Sequence, residues 1–151
     1  MDVKKRLYFY FLEADKHKKK IINAKKILFK HYPISVEKFE KFNEQERDKL
    51  DVLVFRFSKL QDLIGEKIFR YYYEFTLRDS NISFVKILTD LERDGILEVE
   101  KWRELRDIRN NIAHEYPYDE ENLVKNINRV LEKVDYLFEI LEKIKKEMQW
   151  E

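Results

Sequence analysis

The sequence predicts an all-α protein, an up-and-down bundle of about five helices, and three observations predict it. Only two glycines, Gly65 and Gly95, and two prolines, Pro33 and Pro117, punctuate 151 residues, so few turns are available. Lys, Glu, Leu and Ile are abundant, a composition that favours long helices. Apolar residues recur in steps of three and four, the period of one helix face, and no strand-like alternation bounded by turn signals occurs.

The first helix is expected from Val3 to Lys30, with a stripe at Tyr10, Ala14, His17, Ile21, Ala24 and Leu28 turned to a core. Pro33 ends it. A flexible joint is expected only between Phe39 and Asn43. The second helix starts near Asn43 and Glu44 and carries Leu50, Leu53, Val54, Phe57, Leu60, Ile64, Ile68, Tyr72 and Phe75. A short third helix fits Ser83 to Asp94, with Ser83 as N-cap and Gly95 as its C-terminal stop. The fourth covers Val99 to His114. The fifth follows Pro117, is capped by Asp119 and runs to Met148. Its stripe (Leu123, Ile127, Val130, Val134, Leu137, Leu141, Ile144, Met148) alternates four and three, the pattern of a coiled-coil seam or an antiparallel bundle. No internal repeat or low-complexity linker divides the chain, so residues 1–151 read as a single domain, large enough to bury one core.

Charge is plentiful and balanced: 31 Lys and Arg stand against 30 Asp and Glu, a net charge of +1. Whole-surface attraction to nucleic acid or an anionic membrane is not implied, so any nucleic-acid role rests on a local site. The absence of cysteine excludes disulfides, thiolate nucleophiles and cysteine-ligated metals, and suits a reducing compartment. Apolar runs extend for only a few residues, so no membrane span is expected. The basic start, Met1-Asp2-Val3-Lys4-Lys5-Arg6, leads into alternating aromatic and charged residues, unlike a signal peptide. A cytoplasmic location is the expectation. No glycine-rich phosphate loop occurs, and His114-Glu115 does not continue into a two-histidine zinc motif. His17 and His31 lie too far apart along the first helix to share a metal, and read as edge or surface histidines. Neither metal nor cofactor is expected.

Chemistry concentrates between Arg106 and Pro117. At about 100° per residue, Leu105, Ile108 and Ile112 form an apolar face with Trp102 at its edge. Arg109 projects about 40° from Leu105, inside the core-facing sector. A guanidinium there is costly unless it reaches solvent or meets acceptors. Arg106, Asn110 and His114 follow at four-residue steps as a neighbouring polar stripe. Pro117 disfavours helix at Tyr116, so His114 and Tyr116 fall at the end of the helix.

The string Arg109-Asn110-x-x-Ala113-His114-x-Tyr116, at the end of one helix and before a long amphipathic one, resembles the signature of HEPN domains, and of the HepT-like toxins in particular. The resemblance implies a HEPN-like helical bundle that pairs as a homodimer and brings two copies of the motif to one cleft. It implies a metal-independent endoribonuclease in which the RNA's own 2′-hydroxyl attacks the adjacent phosphate. Arg109 and His114 are the implied catalytic residues, a phosphate-holding fork and a proton carrier. Asn110 and Arg106 are supporting residues. HepT-like toxins are partnered by a minimal nucleotidyltransferase antitoxin that attaches AMP to the motif tyrosine. Tyr116 is therefore the implied modification site, where a bulky anion repels RNA. Two other readings stand beside this one. The chain is then a non-catalytic HEPN module that binds a nucleotidyltransferase, or a purely structural helical protein in which Arg109 caps carbonyls of a neighbouring helix.

Three further features complete the reading. Seven lysines and no acid lie between Lys16 and Lys30, either a solvated helix face or a surface that tracks phosphates. Tyr71, Tyr72 and Tyr73 point about 100° apart and suit packing better than one stacking platform. Gly65 permits close approach of another helix, in the core or across a dimer.

Overall fold

The computed structural model describes residues 2–113 and 119–149. Among them every regular element is helical and no strand occurs. Helix α1 spans Val3–Leu28 and continues into a single 3₁₀ turn, Phe29–His31. The short α2 is Val36–Glu40. Helix α3, Glu44–Leu63, passes through a π turn at Ile64–Ile68 into α4, Phe69–Phe75. Helices α5, α6, α7 and α8 are Phe84–Arg93, Val99–Ala113, Glu120–Lys133 and Asp135–Glu147. Residues 44–75 form one rod and 120–147 another, the second relaxed only at Val134.

The helix starts follow from local side-chain chemistry. Asp2 accepts from the Lys5 amide, Ser83 from Lys86 and Asp119 from Asn122, at 2.8, 3.2 and 3.1 Å. Asn43 and Glu46 satisfy each other's backbone amides in a capping box. Helix α5 stops at Gly95, whose φ of +80° suits glycine. The Gly95 and Ile96 amides then close the turn on the Glu92 and Leu91 carbonyls.

Cross-helix contacts establish the topology. Arg6–Tyr71, His17–Arg56 and His31–Glu46 run α1 antiparallel to the rod 44–75. Gln61–Arg106 and Asp62–Arg109 join α3 to α6. Asp107–Arg129 and Glu104–Lys133 pair α6 with α7, and Lys25–Asp135 returns α1 to the last rod. The result is an up-and-down bundle around Leu53, Phe57, Leu60, Ile87, Ile108, Ile127 and Leu137, all essentially inaccessible. Truncating a side chain such as Phe57 to alanine in such a core costs about 3–5 kcal/mol.

Four details depart from the sequence expectation. The segment from Phe39 to Asn43, the expected joint, is part of a packed corner that begins at Ile34. Phe39 and Phe42 are buried there, and Asn128 clamps both backbone groups of Ile34 at 2.8 Å. The core stripe of α1 opens with Leu7 and Phe11, whereas Tyr10 is only partly covered and packs on Tyr71. His17 is buried, not at an edge. Its Nδ1 accepts from Arg56 at 3.2 Å, and burial followed by that cation lowers its pKa. Finally, the four-residue steps Leu60, Ile64, Ile68 and Tyr72 drift by about 40° each in a straight α-helix. The wider π turn absorbs this drift, and all four residues stay buried.

Candidate active site at the end of α6

The apolar face of α6 is where its periodicity places it. Trp102, Leu105, Ile108 and Ile112 are buried against the rest of the bundle. Trp102 packs into the π turn, and Gly65 makes room for it. A Cβ at residue 65 would stand 2.9 Å from Trp102 Cζ2. Gly65 thus serves a close approach within the chain, which seats α6 on the 44–75 rod.

That seating brings Arg109 against α3. The guanidinium donates from Nε to Asp62 Oδ1 at 3.0 Å and from Nη2 to Asp62 Oδ2 at 2.9 Å, a side-on bidentate pair. Both side chains keep about a quarter of their surface exposed, 26% and 25%. The hydrogen bond to Asp62 holds the Arg109 pKa above its ordinary value. An arginine in the core-facing sector thereby meets an acceptor. That acceptor is a carboxylate, not the carbonyl of a neighbouring helix.

Arg106, one turn earlier, is half exposed. Its Nη1 lies 3.4 Å from Gln61 Oε1 and 3.7 Å from Asp62 Oδ1. Two guanidiniums of α6 therefore converge on the single carboxylate of Asp62. Gln61 is fully buried, and its amide nitrogen has no hydrogen-bond partner among the described residues. Asn110 lies on the exposed side of α6. His114 and Tyr116 lie outside the described residues.

Arg109 and Asp62 form one wall of a groove of about 490 Å³ between α3, α6 and α7. Leu50, Val54, Ile112 and Leu123 supply its apolar floor, with Ser58, Lys59 and Asp51 along the rim. Phe55 stands at the same place with half its surface exposed, close to the cations of Arg56 and Lys59. The groove thus offers an oriented guanidinium beside an apolar surface and an exposed aromatic ring. That arrangement can hold an anionic group with a flat apolar one attached.

The structure brings Arg106 and Arg109 together at Asp62, beside Gln61, and these two partners are ones that sequence reasoning missed. The available signal was weak: a carboxylate embedded between Leu60, Leu63 and Ile64, in a helix that must face an arginine from another. The remaining features settle into structure. Tyr72 and Tyr73 are buried and Tyr71 packs on Tyr10. Of the seven lysines, Lys25 pairs with Asp135 at 3.1 Å and Lys18 lies over Phe138, and the other five are exposed. Among the described residues no group of three His, Asp or Glu side chains is placed to hold a metal, and no helix is long and apolar enough to cross a membrane. No family model matches the chain, and neither does a curated protein or a solved structure.

Proposed function

We propose that the chain is a metal-independent endoribonuclease of the HEPN type, similar to the HepT-like toxins, working as a homodimer. Arg109 holds the scissile phosphate and stabilises charge that gathers on it in the transition state. His114 moves protons: one leaves the attacking 2′-hydroxyl and one joins the departing 5′-oxygen, so the products are a 2′,3′-cyclic phosphate and a 5′-hydroxyl. The twofold-related copy supplies the second histidine that separate acid and base roles require. Asn110 and Arg106 support the phosphate. A nucleotidyltransferase partner silences the site by attaching AMP to Tyr116.

The observation that carries this reading is the position of Arg109. It lies in the apolar sector of α6 and yet is held at the wall of an open groove, with Nη1 outside its ion pair. The test is incubation of unmodified protein with structured RNA in excess EDTA, beside His114→Ala. Cleavage by the wild type that disappears in the variant supports the reading. Equal cleavage by both refutes it.

The same pair favours a second reading. The charge of Arg109 is already compensated within the chain, as suits a non-catalytic module that binds a nucleotidyltransferase. A folded wild-type dimer that cuts no RNA but binds such an enzyme tightly selects that alternative.

A further inference from the structure

Asp62 belongs to the α6 site although the motif does not contain it, and its geometry is unlike that of an incidental surface pair. It takes Arg109 through Nε and Nη2, at 3.0 and 2.9 Å, and so fixes the guanidinium plane as well as its position. Of the five N–H donors of arginine, this pair leaves the two on Nη1 and one on Nη2 without a hydrogen-bond partner among the described residues. With a quarter of each side chain exposed, the pair contributes little to folding, because water screens it. What it does contribute is order. An unpaired arginine populates many rotamers, and an anion that binds it must first restrict them. Asp62 makes that restriction before any ligand arrives. Its Oδ1 also lies 3.7 Å from Arg106 Nη1, so the charge of the second guanidinium of α6 stands beside the same carboxylate. The preceding residue, Gln61, is fully buried and anchors this point of α3, adjoining the π turn that seats α6.

We propose that Asp62 is a positioning residue for Arg109, holding its guanidinium so that the remaining N–H groups meet the RNA phosphate in the groove. This rests on the ribonuclease reading of the α6 end. Preorganisation of this kind acts on the transition state, whose charge and shape the fixed fork must match, more than on binding of the RNA.

The experiment compares wild type, Asp62→Asn, Asp62→Glu and Arg109→Lys, and combines Asp62→Asn with Arg109→Lys, in RNA cleavage with melting temperatures alongside. Asp62→Asn keeps the size of the side chain and lowers kcat on the order of 10²-fold with KM little changed. Asp62→Glu, which keeps the carboxylate, recovers part of that loss. In the Arg109→Lys background Asp62→Asn has a much smaller effect, because the group it positions is gone. Melting temperatures stay close to wild type. Wild-type kcat in Asp62→Asn overturns the inference and leaves the ribonuclease reading standing. Tighter RNA binding with faster cleavage overturns it too, making Asp62 a competitor of the phosphate. A collapse in melting temperature overturns it as well, since Asp62 is then a structural residue. No cleavage by the wild type removes the ribonuclease reading and this inference with it.

Discussion

Two carboxylates of this bundle, Asp90 and Asp62, are each held by cations and yet occupy opposite kinds of place. Asp90, on α5, is 2% exposed, accepts from the Tyr73 hydroxyl and from Lys86 at 2.8 Å, and forms an ion pair with Arg93 at 3.1 Å. Its donors come from its own helix and from the rod 44–75, and they enclose it. Asp62 is a quarter exposed, and its partners are Arg106 and Arg109 of another helix, on the wall of a groove. Asp90 ties α5 to α4 and is closed off from solvent. Asp62 orients a residue whose Nη1 has no partner among the described residues. Ion pairing alone, then, does not mark a functional site. What separates Asp62 from Asp90 is that its pair lines a groove instead of being enclosed.

The largest effect that sharpens this contrast falls on activity. His114→Ala removes the proposed proton carrier and lowers the cleavage rate by about 10²–10⁴-fold, read as initial rates in EDTA. Asp90→Ala leaves the cleavage rate of the folded fraction unchanged, but lowers the melting temperature by more than Asp62→Ala does. The reverse order would dissolve the distinction between the two acids.

Acid separates them as well. The Lys86 and Tyr73 hydrogen bonds lower the Asp90 pKa from 3.8 to about 2. A depressed folded-state value means that Asp90 adds stability in full above about pH 4, and that this is lost as pH falls toward 2. Wild-type stability measured down this range declines, and Asp90→Asn flattens that decline. An equal slope in the variant contradicts the assignment.

Smaller effects test the packing that seats α6. Gly65→Ala forces a methyl against the buried Trp102 ring, 2.9 Å from Cζ2. Overpacking costs about 1–3 kcal/mol and the gain in helix propensity returns up to about 1, so denaturant titration finds a net loss. Smallest is the comparison of two helix ends. Leu77 takes the left-handed position after α4, with φ of 65° and 95% of its surface exposed, where α5 has Gly95. Leu77→Gly raises stability by about 1 kcal/mol in the same titration, since it relieves backbone strain and removes no buried contact.

Much of the fold is legible in the sequence because helices advertise themselves. The stripe from Leu123 to Met148, the caps at Ser83 and Asp119 and the stop at Gly95 are local signals, and the structure has each of them. What local signals do not contain is the partner across a helix interface. Periodicity puts Arg109 in the apolar sector of α6 and requires an acceptor, but Asp62 lies 47 residues earlier in the chain. The π turn is equally hidden, although the run of four-residue steps from Leu60 to Tyr72 exceeds the α-helical period. The segment from Phe39 to Asn43 resembles a joint because its anchor, Arg47, which donates to the Phe39 and Glu40 carbonyls, belongs to the next helix.

The most direct test of the central claim, that the end of α6 is a nuclease site built on Arg109, compares wild type with Arg109→Ala on one RNA whose cut site has been mapped, in EDTA. The wild type is expected to leave a 2′,3′-cyclic phosphate and a 5′-hydroxyl there, and Arg109→Ala, folded and equally stable, to cut about 10²–10³-fold more slowly. Cutting at the wild-type rate by Arg109→Ala contradicts the claim.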